Sequence, residues 1–144
     1  MNALKLRLSI AILTIFALCT ITPAGTAMAG DTSYTFTVKN NAGEDRYVDI
    51  YKYNTLTRTY YSSPSVKKEL VDESASKSIT PNCGGSQVKC KFVSYQKERY
   101  CKTQFIWCWG YAERYNEKGS KTNITGIGSS TTVKLNSDSI SVSY

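Results

Sequence analysis

Apolar and polar side chains alternate with a period of two over most of the chain after residue 30, and this pattern constrains the fold more than any other feature. Tyr34, Phe36 and Val38 alternate with Thr or Lys, for example. Successive side chains of a strand point to opposite faces of a sheet, so the pattern predicts strands. No stretch shows a sustained helical period. We therefore predict an all-β fold, a single antiparallel β-sandwich or small barrel with two disulfides.

The predicted strands are short and are separated by turn signals rich in Gly, Asn, Ser and Pro. They cover residues 34–39, 47–53, 58–62, 77–80, 88–95, 100–111, 131–135 and 140–144. Residues 66–71 fit either a short strand or a helical turn. Residues 116–130 are polar and glycine-containing, which predicts a loop.

The first 29 residues have the three parts of a secretory signal peptide. Lys5 and Arg7 are followed by a mostly apolar run over residues 8–21, and small residues precede Gly30. We predict cleavage before Gly30 and a mature β domain of residues 30–144, either secreted or periplasmic.

Two other interpretations of this segment are weaker. A membrane anchor needs about 20 continuous apolar residues, and this run is shorter and leads into Pro23. A lipoprotein would be modified at Cys19, but Leu18 stands where a small residue is needed.

The chain is basic and contains no histidine. Its 18 Lys and Arg residues against 11 Asp and Glu give a net charge of +7, which falls to +5 when Lys5 and Arg7 are removed with the signal peptide. The absence of histidine excludes Ser–His–Asp and Cys–His catalysis and histidine metal ligands. We predict neither a cofactor nor a metal site. A charge of +5 on an exported protein disfavours nucleic acid as a partner.

Four cysteines remain after cleavage, as expected for a disulfide framework in an oxidising compartment. Their spacings are 7, 11 and 7. We favour the nested pairing Cys83–Cys108 with Cys90–Cys101, because both bridges would then fit one register of a single hairpin. The odd spacing requires a bulge in that hairpin. Local pairing, Cys83–Cys90 with Cys101–Cys108, is the next alternative, and crossed pairing also stays open.

A basic, aromatic segment runs from Lys89 to Lys102, and its part between Cys90 and Cys101 is predicted to form the tip of that hairpin. Such a tip suits a polyanion, an anionic membrane surface or an acidic protein. The alternative is a solvated strand end without a partner. The candidate binding residues are Lys91, Tyr95, Lys97, Arg99, Tyr100 and Lys102.

Tyr47, Tyr51 and Tyr53 form a second candidate binding group. Val48 and Ile50 can fill the core, which leaves these tyrosines on the outer face of their strand. Tyrosine-rich surfaces contact carbohydrate or protein. Cross-strand packing of the rings is an equal alternative.

An aromatic row follows the basic segment and consists of Phe105, Trp107, Trp109 and Tyr111. In a strand, all four side chains point to one face. Because the opposite face is half polar, we expect this row to belong to the core. If it is exposed instead, it would form a sugar-stacking platform or a membrane-contacting patch.

These features predict a small exported, non-enzymatic binding protein that recognises an acidic protein or polysaccharide through a basic, tyrosine-rich surface. An anionic membrane surface is a further candidate partner. The first alternative is a secreted, membrane-active toxin or effector. The second is a glycosidase that uses two carboxylates, drawn from Asp49, Glu98, Glu113 and Glu117.

Overall fold

The computed structural model describes residues 34–83, 89–102, 107–126 and 131–144. In these ranges the chain forms nine strands and no helix. The strands are β1 (Phe36–Asn40), β2 (Arg46–Asn54), β3 (Thr59–Tyr60), β4 (Val66–Val71), β5 (Ser76–Ile79), β6 (Lys89–Cys101), β7 (Tyr111–Thr125), β8 (Thr132–Leu135) and β9 (Ile140–Ser143). The ambiguous segment at 66–71 is therefore a strand.

The strands form two sheets. One has four strands in the order β5-β1-β8-β9, and the other has the order β3-β2-β6-β7, with β4 also paired to β2. Neighbouring strands are antiparallel except β1 and β8, which are parallel. This architecture confirms the predicted all-β fold of antiparallel sheets.

The core lies between the two sheets. Phe36 of β1 and Phe92 of β6 meet edge to face across it, with ring centroids 5.2 Å apart. Val48 and Ile50 of β2 are also fully buried in this cluster. Each such side chain contributes roughly 1.5–3 kcal/mol when it leaves water. The alternation in β2 thus places its aliphatic residues in the core and its tyrosines on the opposite side of the sheet.

The longest hairpin of the fold differs from the predicted one. The two strands of this hairpin are not the predicted segments 88–95 and 100–111, because β6 continues as one strand of 13 residues to Cys101. Its partner is β7, which has 15 residues and occupies most of the segment predicted as a loop. The charged run at 96–99 resembles a turn, but its side chains form ion pairs with β7, which explains why the strand continues.

The disulfides are Cys83–Cys90 and Cys101–Cys108, with Cα atoms 5.5 and 5.7 Å apart. The favoured nested pairing is therefore wrong, and the local alternative is correct. Cys90 and Cys101 stand near opposite ends of β6, eleven residues apart, which is about 37 Å in an extended strand. A disulfide requires Cα atoms within about 7 Å, so no bulge could join them.

Candidate functional site

Seven of the nine binding residues predicted from the sequence lie on the same side of one sheet, facing away from the core. Tyr47 of β2 is opposite Tyr95 of β6, and Tyr51 is opposite Lys91. Tyr95 is followed on the same side of β6 by Lys97, which is opposite Tyr115 of β7. We call this surface the tyrosine–lysine face. Its members are Tyr47, Tyr51, Tyr53, Lys68, Lys89, Lys91, Tyr95, Lys97, Arg99, Tyr111 and Tyr115.

Cations lie over tyrosine rings along this face. The Lys89 ammonium is 5.4 Å from the ring centroid of Tyr53, and the Lys91 ammonium is 5.5 Å from that of Tyr51. Farther along β6, the Arg99 guanidinium carbon is 4.1 Å from the ring centroid of Tyr111. Such contacts contribute about 0.5–1 kcal/mol each at exposed sites. They also hold positive charge and aromatic surface side by side.

Lys68 of β4 fills the centre of the face. Its ammonium contacts the Asp49 carboxylate at 2.7 Å and lies 3.1 Å from the ring centroid of Tyr95 and 5.3 Å from that of Tyr115. The backbone N–H of Lys68 donates to the other oxygen of Asp49 at 2.6 Å. The buried carboxylate therefore has its charge compensated within the sheet.

A bulge in β4 allows the contact between Lys68 and Asp49. Lys68 has a φ of +49°, in the left-handed region that few residues with a side chain adopt. At the same place the register between β2 and β4 shifts, between Val48 and Ile50. The bulge turns the Lys68 backbone and side chain toward Asp49.

Tyr95 is held in its protonated form by its surroundings. Burial raises the pKa of its hydroxyl, and a hydrogen bond with Tyr51 and the nearby charge of Asp49 raise the same pKa further. Tyr51 in turn donates to Asp49 at 3.4 Å. Tyr47 and Tyr115 pack edge to face with centroids 5.1 Å apart. The centre of the face is thus a connected cluster of rings around one ion pair.

Beyond β2, strands β6 and β7 continue as a two-stranded ribbon formed by residues 96–101 and 111–116. In a regular strand, the distance from residue 96 to residue 101 is about 17 Å. Two cross-strand ion pairs support the ribbon, Lys97–Glu113 at 2.7 Å and Glu98–Arg114 at 3.1 Å. Hydrogen bonds from Asn116 and Arg114 lower the pKa of the Glu98 carboxyl.

The far end of the ribbon carries two exposed tryptophans. The Cys101–Cys108 disulfide closes this end, and the Lys102 N–H donates to the Gly110 carbonyl at 2.8 Å. Trp107 is 73% exposed and Trp109 is 80% exposed. We call this end of the ribbon, with its two tryptophans and its disulfide, the tryptophan tip.

The expectation that the aromatic row belongs to the core is wrong for three of its members. Trp107, Trp109 and Tyr111 are all exposed, the last by 56%. The reason is that β6 ends at Cys101 and its partner β7 begins at Tyr111, so both tryptophans lie outside these strands. The fourth member, Phe105, lies outside the described residues.

Two of the predicted binding residues lie off the tyrosine–lysine face. Tyr100 is on the opposite side of the ribbon, where the Arg114 guanidinium carbon is 5.4 Å from its ring centroid. Lys102 is exposed directly after β6.

Four members of the face were not among the binding residues predicted from the sequence: Lys68, Lys89, Tyr111 and Tyr115. Tyr111, Glu113 and Tyr115 are spaced two residues apart, which is typical of one side of a strand. This spacing could have indicated that Tyr115 belongs to the face. Lys68 had no such signal, because a bulge places it on this side.

Three of the four carboxylates considered for catalysis are ion-paired. Asp49 pairs with Lys68, Glu98 with Arg114 and Glu113 with Lys97. Across the described ranges, no cluster of three or more Cys, Asp or Glu residues could hold a metal ion. The same ranges contain no helix that is long and apolar enough to cross a membrane.

No protein-family model matches the chain, and no curated protein matches it in sequence. Among solved structures, it is similar to one titled "Structure of Sugar Binding Protein Pneumolysin", with a TM-score of 0.36 and 9% identity. The match covers 78% of this chain and 23% of the other. The chain therefore spans less than a quarter of the length of that protein.

Proposed function

We propose that this protein is an exported, non-enzymatic binding protein whose tyrosine–lysine face holds an acidic polysaccharide. The observation that carries the proposal is the placement of cations over tyrosine rings along β6, at Lys89, Lys91 and Arg99. An acidic sugar presents an apolar ring face and an anionic group together. Aromatic rings can stack on the first, and the adjacent cations attract the second.

The shape of the face favours a polymer as the ligand. From Lys89 to Arg99 the face follows ten residues of one strand, which corresponds to about 34 Å. Hydrogen-bonded strands hold the side chains in fixed order, so little conformational freedom is lost when a chain of sugars binds. A linear polysaccharide can contact successive cations and rings along this length.

The ion pairs of the carboxylates support a role without catalysis. A glycosidase needs one carboxyl group whose raised pKa keeps it protonated as the general acid. The pKa of Glu98 is shifted in the opposite direction. Asp49 is fixed by both the ammonium and the backbone N–H of Lys68. These groups are arranged to stabilise the sheet.

The proposed location is outside the cytoplasm, either secreted or periplasmic. Two disulfides in a small domain are typical of proteins that fold in an oxidising compartment. The signal-peptide pattern in residues 1–29 supports the same location.

The proposal is tested by measuring the binding of the protein to polygalacturonate, a polymer of acidic sugars, and to dextran, a neutral one, over a series of salt concentrations. We expect binding to polygalacturonate that weakens as salt rises. The double substitution Lys89→Glu with Lys91→Glu should weaken it by roughly tenfold or more, since each tenfold corresponds to about 1.4 kcal/mol.

A matched control keeps the net charge equal. Lys39→Glu with Lys134→Glu reverses two charges on the other sheet, at neighbouring positions of β1 and β8, and should leave most of the binding intact. Equal losses in the two double variants would show that only overall charge matters. Unchanged binding in the Lys89 and Lys91 variant would remove the face as the site.

A further inference from the structure

The tryptophan tip is separate from the tyrosine–lysine face and presents a different chemistry. It stands at the end of a ribbon whose six pairs, from Gln96–Asn116 to Cys101–Tyr111, lie beyond β2. Large apolar side chains at the end of a projection gain nothing for the core of their own domain. Exposed groups of this kind mark sites of interaction with another surface.

We propose that the tryptophan tip docks into the interfacial region of a lipid bilayer that carries anionic headgroups. Tryptophan has a large apolar body and one N–H donor, and it is enriched where hydrocarbon meets the polar headgroups. Trp107 and Trp109 stand two residues apart between the end of β6 and the start of β7, and both are largely exposed. Two such side chains can enter the headgroup region while the body of the domain stays in water.

Charge near the tip matches an anionic surface. Arg99 and Lys102 lie on the end of β6 and directly after it, behind the tryptophans. The sequence contains no Asp or Glu from residue 99 to residue 112. Basic residues close to a bilayer are attracted to its anionic lipids. The nearest carboxylates, Glu98 and Glu113, are ion-paired within the ribbon.

The disulfide prepares the tip for docking. Cys101–Cys108 joins the end of β6 to the turn that carries both tryptophans, and the backbone hydrogen bond from Lys102 to Gly110 adds a second closure. A constrained loop loses less conformational freedom when it binds than an open one. The tryptophans are thus displayed at the tip before any bilayer is met.

The test uses the two tryptophans as their own probe, because the chain contains no others. The protein is mixed with vesicles of phosphatidylcholine and phosphatidylserine, and separately with vesicles of phosphatidylcholine alone. We expect the tryptophan fluorescence to shift to the blue and to be quenched by brominated acyl chains, more strongly with the anionic vesicles. No shift and no quenching with either vesicle would overturn the proposal.

Variants assign the effect to the tip. Trp107→Ala and Trp109→Ala should each lower vesicle binding, measured by co-sedimentation, by about tenfold, the change expected when one large aromatic side chain is no longer buried. Leu56→Ala is the matched control, because Leu56 is 93% exposed in the turn between β2 and β3. It should bind as the unaltered protein does. Equal losses in Leu56→Ala and the tryptophan variants would overturn the proposal.

Two further outcomes would assign the tip to another occupant and overturn the proposal. A blue shift with polygalacturonate, and none with vesicles, would place the tip in the sugar site. A shift that depends on protein concentration without vesicles would indicate self-association through the tip. The Lys89→Glu and Lys91→Glu variant should retain quenching by brominated lipid, which separates this proposal from that of the polysaccharide site.

Discussion

Lys68 shows how one residue organises a surface that no local pattern predicts. Its left-handed backbone conformation costs free energy in a residue with a side chain. In this conformation the Asp49 carboxylate accepts from the N–H of Lys68 and pairs with its ammonium, which also lies over the ring of Tyr95. The strand period alone identified Tyr47 and Tyr51. It could not identify Lys68, because a bulge breaks that period.

The raised pKa of Tyr95 gives a titration that can be measured. A tyrosine whose pKa is raised by folding contributes stability that is fully present below its unfolded value of 10.0 and is lost as the pH rises through the folded value. Ultraviolet absorbance of tyrosinate should therefore show a late-titrating phase in the folded protein. Tyr95→Phe should remove part of this phase and reduce the alkaline loss of stability.

Tyr60 provides the comparison for this titration. Burial also raises its pKa, but it bonds to Asn123 at a different part of the sheet. Tyr60→Phe should remove a separate part of the late phase and leave that of Tyr95. A late phase unchanged by Tyr95→Phe would contradict the assignment.

Among the elements, β6 marks the limit of what sequence patterns could predict. The charged residues Lys97, Glu98 and Arg99 match the composition of a turn, yet they lie within a strand. Their strand conformation is supported by partners in β7, more than ten residues away in sequence. The same misplaced turn led to the wrong disulfide pairing and the wrong position for the tryptophans. The composition of a segment was enough to predict that it forms a strand, but it did not predict which strand it pairs with.

We expect removal of the two disulfides to have different effects on stability, although the cysteines of each are seven residues apart. By restricting the unfolded chain, each bridge should add about 2 kcal/mol to the free energy of unfolding. Cys83 and Cys90 are buried in the core, so Cys83→Ala with Cys90→Ala should lower the free energy of unfolding by at least that amount. Cys101→Ala with Cys108→Ala should cost less, because the ribbon end can open while the core stays folded.

Denaturant unfolding and hydrogen exchange measure the two effects. For the tip variant, we expect faster exchange at residues 96–101 and 111–116 with a small change in the unfolding midpoint. Equal losses of global stability in the two variants would mean that the ribbon and the core unfold as one unit.

At the scale of the whole molecule, strands β6 and β7 join the core, the tyrosine–lysine face and the tryptophan tip. β6 contributes Phe92 to the core and Lys91 to the tyrosine–lysine face, and it ends at Cys101 in the tryptophan tip. Period-two alternation was enough to predict the fold class and the outer side of β2 that carries Tyr47, Tyr51 and Tyr53. It did not predict that the basic segment and the tyrosines share one surface, since that depends on the pairing of β2 with β6.

The predicted cleavage before Gly30 would keep Tyr34, the first residue that the structure describes, in the mature protein. Tyr34 already packs against the core, with its ring centroid 4.9 Å from that of Phe36 and its hydroxyl 3.4 Å from Thr131 Oγ1. A cut before Gly30 leaves these contacts intact. We expect the exported protein to begin at or within two residues of Gly30, as measured by intact mass.

Substitutions at the cleavage site sharpen this test, because the peptidase requires small residues at two positions before the cut. Ala29→Leu should block processing, whereas Met28→Leu, at the position between them, should be processed normally. An exported species that retains Met1, or one that carries a lipid on Cys19, would contradict the prediction. Normal processing of Ala29→Leu would place the cut elsewhere, and a cut beyond Tyr34 would remove a residue that packs against Phe36.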